Sequence, residues 1–552
     1  MRPEIKNKPP NNLSERVSPA FKHELNKWLA PSEIKRHQES LYLINTRLWI
    51  KGLRHKYGES LTIDTIPEKE WSPLLKKYDT FWFMGIYVPS PASRDNAKKY
   101  VDQYRYALPN INSNVDVVAS PFAIPDYIPN PEIVGNWFKW DKMVEKLHSH
   151  GKKVVIDFVP NHTGLDHSWA KTHPEYYIQG TVSQYHSNPN FYYPVTDHKG
   201  NTHYLAHGKD PNSPEWSDTL QLNIADPKVQ EEMGKIMLQL VDHADGIRCD
   251  MAMLVNPSTF LRTWGWALTD QQKDYLCHNP FWEKQLKLVK AKADRLGKKF
   301  DIAGEIYWDK EELGKIFDGM YDSYLYQQFL EVSNGNNPQN LREHIKYLIK
   351  RQKNGQSYRS WLYVENHDEE RGLKKFGGLS KTFAVLAGII PDSVFMVNQG
   401  QERGSRIRPP MQIGRFPKER VDSSVSKFYK TLFDLKNSRL FQQGDWDMAT
   451  IYTENPNIIA LEVRSPDKKI CSVICVNSGN YKAQCSVPEI TANKDASVIS
   501  LTDPSNIKVD AIRQQGLFIE LKPGEVQVVF FSEDKKEFKA PTSKRRNLFL
   551  FN

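Results

Sequence analysis

The chain has 552 residues, 39% hydrophobic and 26% charged, which is enough apolar material for a large core and excludes a disordered chain. Its net charge of +9 is thin over that length and forms no dense stripe, so no nucleic-acid partner is expected. No run approaches ~18 consecutive apolar residues and the N-terminus has no apolar signal segment, so no membrane partner is expected and a cytoplasmic location is. The five cysteines follow no regular framework and read as reduced thiols.

Residues 1–38 are polar and proline-bearing and read as an N-terminal arm with a short helix. Apolar β-type runs then appear at 41–49, 81–88, 153–159, 244–249, 301–307, 320–325, 361–365 and 393–398. Between them lie helical patterns, notably 137–149 and 227–243, where Met233, Ile236, Met237 and Leu240 share one face. Eight near-continuous apolar strands alternating with helices predict an α/β fold, a (β/α)8 TIM barrel over 39–435. The long gap at 163–225, rich in His, Pro, Asn and Tyr, reads as a small inserted loop domain. After residue 440 short alternating strands at 450–453, 457–463, 470–476, 498–501, 517–521 and 525–531 predict a C-terminal all-β sandwich over 440–532. Residues 533–552 form a charged tail ending in an apolar LFLFN. Its start, Ser532-Glu533-Asp534, followed by that apolar end, resembles loosely defined export signals of intracellular bacterial pathogens, so non-classical delivery into a host cell is an alternative destination.

Catalytic groups of such barrels stand at the C-terminal ends of the strands. The third run ends Asp157-Phe-Val-Pro-Asn161-His162, the fourth Arg248-Cys249-Asp250, the fifth Gly304-Glu305 and the seventh Asn366-His367-Asp368. Carboxylates, an arginine and two histidines thus converge on one barrel mouth, and buried carboxylates are costly unless paired or used. A retaining glycosidase needs two carboxyl groups ~5–5.5 Å apart. Adjacent strands, ~4.8 Å apart, can provide that spacing. Arg248 lies two residues before Asp250 on the same strand face and would keep it ionised as a nucleophile. Glu305 precedes Ile306, Tyr307 and Trp308, a less polar setting that favours its acid form.

These stretches resemble, in chain order, the four short conserved regions of the α-amylase family of glycoside hydrolases: DFVPNH at 157–162, GIRCD at 246–250, GEIYW at 304–308 and ENHDEER at 365–371. QLN at 221–223 resembles the family's fifth region, and GQE at 400–402 the motif after the eighth strand. The resemblance implies Asp250 as nucleophile, Glu305 as acid/base and Asp368 as transition-state stabiliser. It implies His162 and His367 on the sugar, Arg248 orienting Asp250, and Asp157 and Asn161 holding the site architecture. It also suggests Tyr127 as a stacking surface. The implied partner is an α-glucan polysaccharide or oligosaccharide, and the implied reaction is retaining hydrolysis of α-1,4-glucosidic bonds without a required cofactor.

Two departures stand out. The Lys-His pair that often follows the nucleophile reads Met253-Leu254, which weakens the usual calcium site and leaves Asn161 and the loop carboxylates as candidate ligands. The segment before the third strand reads Phe122-Ala123-Ile124-Pro125-Asp126-Tyr127, and Ala123 stands where many glucosidases carry an aspartate that closes a one-sugar pocket, so a more open cleft is expected. The basic segment 403–415 has no assigned role. An α-glucan transferase or isomerase on the same scaffold, or a non-catalytic carbohydrate-binding scaffold, are the alternatives; the intact Asp250, Glu305 and Asp368 count against the second.

Overall fold

The computed structural model describes residues 18–34, 38–353, 358–490, 495–502, 512–513 and 516–533. The first part of the N-terminal arm and the tail from 534, with the export-like pattern, lie outside the described residues.

Eight parallel strands close into a barrel. They are β1 (Gln38–Asn45), β2 (Thr80–Met84), β3 (Lys153–Phe158), β4 (Gly246–Cys249), β5 (Asp301–Gly304), β6 (Gly319–Tyr321), β7 (Arg359–Leu362) and β8 (Ser393–Asn398), in sequential order around the ring with β8 beside β1. Each strand is buried almost throughout, as a sheet covered by helices requires. The two helical patterns form helices at Trp137–Ser149 and Pro227–His243, capped by the side chains of Asn136 and Asp226.

Several strands are shorter than the apolar runs that predict them. The first run turns helical at Thr46, because the Asn45 side chain accepts from the Leu48 N–H and caps the helix Thr46–Tyr57. The second stops at Met84, before Gly85 at φ 76°. The sixth stops at Tyr321, where Asp322 caps the helix Ser323–Ser333. In each case a polar cap or a glycine, not loss of hydrophobicity, ends the strand.

The segment after β3 is pinned at its base by a short antiparallel pair, His162–Gly164 with Thr219–Gln221. Between them a three-stranded sheet forms from Gln179–Gly180, Thr202–Ala206 and Tyr192–Thr196.

The C-terminal region holds a five-stranded sheet, in order Asp445–Met448, Ile458–Arg464, Ile470–Asn477, Val526–Ser532 and Ala496–Ser500, and a three-stranded sheet of Ala483–Val487, Gly516–Leu521 and Ile512–Arg513. The run at 450–453 is not a strand; Tyr452 makes only an isolated bridge to Ser486. Three strands, 445–448, 483–487 and 512–513, lie outside the runs read from the sequence; the first two alternate but hold only two and three apolar residues, and the third is two residues long. Period-two alternation gives the larger sheet two buried faces. Ile458, Ala460, Val473 and Val529 face the three-stranded sheet, while Ile459, Leu461, Val463 and Val528 join the barrel's core.

The helix Pro19–Leu29 is docked. Its Phe21, Leu25 and Trp28 are buried in the main core. Ser18 caps it and binds Asp495, 477 positions away, through its N–H at 3.0 Å and its hydroxyl at 2.5 Å. Among the described residues no helix is long and apolar enough to cross a membrane. The five cysteines are unbridged, four of them buried.

Candidate active site

Barrel register sets the site. Asp157 on β3, Arg248 on β4 and Ala303 on β5 stand side by side in the ring. Asp157 and Arg248 therefore both point into the interior, where they are fully buried. Past the strand ends the backbones stay tied: the Asp250 N–H donates to the Phe158 carbonyl, the Glu305 N–H to that of Cys249 and the Ala252 N–H to that of Glu305. Met251 takes a left-handed φ of 41° to make this turn, a strained conformation for a side-chain-bearing residue.

Arg248 is the hub. Nη1 donates to Asp250 Oδ1 at 2.6 Å, Nη2 to Glu305 Oε2 at 2.6 Å, and Nε to the Tyr321 hydroxyl at 3.3 Å. Asp157 Oδ1 lies 3.7 Å from Nη1 and accepts from Trp82 Nε1 at 3.0 Å. The rings of Trp82 and Phe122 stand 5.0 Å from the guanidinium carbon, and that of Tyr321 5.6 Å, an aromatic cage that excludes water and suits a planar cation.

Burial pushes all four carboxyl groups up. For Asp250 and Glu305 burial is the main cause, opposed by Arg248 and reinforced by neighbouring carboxylates. Asp368 is raised by burial against Arg248 and Arg408. Asp157 is raised by burial to about 7. His162 and His367 are pushed down by burial to about 3, so both are neutral imidazoles at ordinary pH. An acid, a base and two neutral hydrogen-bonding rings thus coexist in one site.

A cavity of about 480 Å³ opens above these groups. Asp250, Glu305, Asp368 and His162 line it, with Phe122, Trp216, Asp218, Tyr104, Tyr307 and Met411. No lysine or arginine does among the described residues. Asp157 and Arg248 lie beneath the floor rather than at its surface. His367 packs edge-on against Trp82, 5.4 Å between ring centres, with Nε2 3.1 Å from Asp368 Oδ2.

Tyr127 is not a stacking platform. It is buried, its hydroxyl accepts from the Val159 N–H at 2.8 Å and meets the Val159 carbonyl at 3.2 Å, and its ring packs on Tyr87 and Phe158. Motif position placed it near the site but not the side it faces. Asn161 does not fit the role of a calcium ligand. Its amide exchanges hydrogen bonds with that of Gln221, at 3.2 and 3.0 Å, and Nδ2 also lies 3.3 Å from His162 Nδ1. Among the described residues one group of His, Cys and carboxylate side chains is tight enough for a cation: Glu462, Cys471 and Glu489 on the C-terminal sheet. The guanidinium of Arg464 already spans its two glutamates.

Sequence reasoning missed the parts played by Phe122, Tyr307 and Asp218. Trp216 lines the cavity, whereas Trp137 stacks on His243 at 3.9 Å and Trp140 is buried. The basic segment also gains a place. The Arg408 guanidinium donates to the Asp368 carbonyl, Met411 and Gln412 line the cavity, and Arg415 pairs with Asp116 at 2.7 Å.

Comparison with known proteins bears on this geometry. A sequence model described as "Alpha amylase, catalytic domain" matches residues 120–408. "Alpha-amylase 3" of Dictyoglomus thermophilum is 24% identical over 367 residues, covering 62% of this chain and 66% of the relative. A "4-alpha-glucanotransferase" of Thermotoga neapolitana is 26% identical over 259 residues, 44% of this chain and 49% of that protein. The chain thus spans about half to two thirds of the length of these relatives. The crystal structure of a noncanonic maltogenic α-amylase from Thermotoga neapolitana superposes with a TM-score of 0.60 at 18% identity, covering 90% of this chain and 99% of that one.

Proposed function

Because this chain belongs to the α-amylase catalytic-domain family of glycoside hydrolases and transferases, we propose that it hydrolyses α-1,4-glucosidic bonds of a starch- or glycogen-like glucan with retention of configuration. The observation that carries this reading is the sharing of one guanidinium by Asp250 and Glu305 at the floor of an open cavity. One fork holds the two carboxyl groups close together, which suits the ~5–5.5 Å spacing of a retaining pair.

In the first step Glu305 gives its proton to the glycosidic oxygen while Asp250 attacks the anomeric carbon. The leaving chain departs and a glycosyl–Asp250 ester forms. In the second step Glu305 takes a proton from water, whose oxygen displaces Asp250 from the sugar. Asp368, His162 and His367 act on the sugar's hydroxyls. Asp157 stays beneath Arg248 and supports it.

The lining favours an uncharged polymer. Its acidic groups and lack of lysine or arginine oppose a sugar phosphate, and Phe122, Trp216 and Tyr104 offer rings to sugar faces. Ala123 supplies no carboxylate to close the pocket, which supports binding within a chain. No cofactor enters these steps.

The test is incubation with glycogen and with a defined maltooligosaccharide, with and without a calcium chelator, resolving products by length over time. Mixed short oligosaccharides from the start, insensitive to chelator, are expected. Products longer than the donor would make the chain a transferase, and no change in either glucan would overturn the reading.

A further inference from the structure

The two oxygens of Glu305 have different surroundings. Oε2 accepts from Arg248 Nη2 at 2.6 Å and from the Met251 N–H at 3.0 Å. Oε1 accepts from the Tyr307 hydroxyl at 2.7 Å, its hydrogen-bond donor among the described residues. A guanidinium and a backbone N–H donate only, so Oε2 is closed to a proton. A phenol hydroxyl has one proton and two lone pairs, and it can donate to a carboxylate or accept from a carboxylic acid. The proton of neutral Glu305 therefore belongs on Oε1, facing Tyr307.

Tyr307 leaves β5 two residues after Glu305 and lines the cavity. Besides Glu305 it faces Tyr363, Asp368 and Tyr321. The charged and titratable groups around Glu305 are Arg248, Asp250, Asp368 and His367. Arg248 and Asp250 are held by their mutual ion pair and His367 by packing on Trp82, whereas the hydroxyl of Tyr307 turns about a single C–O bond.

We propose that Tyr307 is a positioning residue that fixes the catalytic proton on Oε1 of Glu305 and passes that oxygen to the substrate by rotation of its own hydroxyl. The proposal rests on the reading of Glu305 as acid/base given above. In the acid form the hydroxyl accepts from Oε1–H. When the glycosidic oxygen arrives, the proton moves from Oε1 to that oxygen, the bond from the anomeric carbon breaks and its electron pair stays with the leaving oxygen. The hydroxyl then turns and donates to the carboxylate just formed. When water attacks, its proton goes to Oε1 and the hydroxyl turns back.

A donor to the carboxylate lowers its pKa, so losing the donor raises it. The test is the pH profile of kcat/KM on a maltooligosaccharide for Tyr307→Phe, which keeps the ring. The alkaline limb, set by loss of the Glu305 proton, is expected to rise by about 1 pH unit. The acid limb, set by Asp250, is expected to stay. Replacement of Tyr307 by 3-fluorotyrosine, a stronger donor of the same shape, is expected to move the alkaline limb the other way, and it decides the matter should the phenylalanine variant fail to fold. An alkaline limb unmoved by these changes, or moved in the same direction by both, overturns the role of Tyr307. Glu305→Gln separates the two readings: wild-type turnover in that variant would remove Glu305 as the acid/base, whatever Tyr307 does.

Discussion

Three buried carboxyl groups, Asp157, Asp250 and Glu305, share the guanidinium of Arg248 at the floor of the cavity. If all three were ionised, two uncompensated negative charges would lie buried, a state far more costly than protonating one or two of them. The site therefore holds protons at neutral pH as a consequence of its charge count. Position separates Asp157 from the other two: it lies beneath the floor, 3.7 Å from the guanidinium, whereas Asp250 and Glu305 each meet it at 2.6 Å and line the cavity. Asp250→Asn removes the nucleophile while keeping its shape and its contact with Arg248. Turnover is expected to fall on the order of 10⁴-fold or more, with an unchanged circular dichroism spectrum. The strand-end rule led from sequence to Asp250, Glu305 and Asp368, because a barrel puts those positions at its mouth whatever else the chain does. It could not separate Tyr127 from Tyr307. Both are tyrosines beside a motif, and only the fold shows one hydroxyl spent on Val159 and the other on Glu305.

At the scale of elements, the two ends of the barrel do different work. At the C-terminal end, the pair His162–Gly164 with Thr219–Gln221 brings Trp216 to the cavity wall, its ring 5.1 Å from that of His162. Trp216→Ala is expected to raise KM for a maltooligosaccharide roughly tenfold and leave kcat within about twofold, as loss of one stacking surface would. At the other end, Glu39 lies between Arg359 and Lys153. Burial alone would raise its carboxyl, but the two cations outweigh burial and hold it at about 2. A lowered carboxyl contributes stability above its unfolded pKa and loses it as pH falls through the folded one. Glu39→Gln is therefore expected to cost on the order of 1–2 kcal/mol at pH 7, less than a fully buried pair because Arg359 is 37% exposed. In chemical denaturation the difference should shrink from about pH 4.5 downward and vanish near pH 2. The eight strands were legible because each is buried on both faces and reads as an apolar run. Their ends were not, because a single cap such as Asn45 or Asp322 ends a strand inside a run that is still apolar.

At the scale of the molecule, barrel and C-terminal sheets share one continuous core. The five-stranded sheet sends Ile459, Leu461 and Val463 into it, and the helix Pro19–Leu29 adds Phe21, Leu25 and Trp28. Trp28→Ala is expected to weaken this junction by about 3 kcal/mol. Amide exchange should then quicken in Ile470–Asn477 and Ala496–Ser500 while the central barrel strands stay protected. The sequence suggested a C-terminal sandwich, and the three-stranded sheet does cover one face of the five-stranded sheet; several strands of the larger sheet are apolar on successive residues because its other face joins the barrel's core.

Ser18 binds Asp495, so during synthesis it waits for a partner made 477 positions later. The apolar side of the first helix has its resting place only once the helix Arg439–Gln443 and the strand Ile470–Asn477 have been translated. β1 likewise stays without its neighbour β8 until Asn398 has emerged. Barrel closure and helix docking thus wait for these later segments, and a product stalled before them presents both a naked strand edge and an unburied Trp28 to the chaperones and proteases around it.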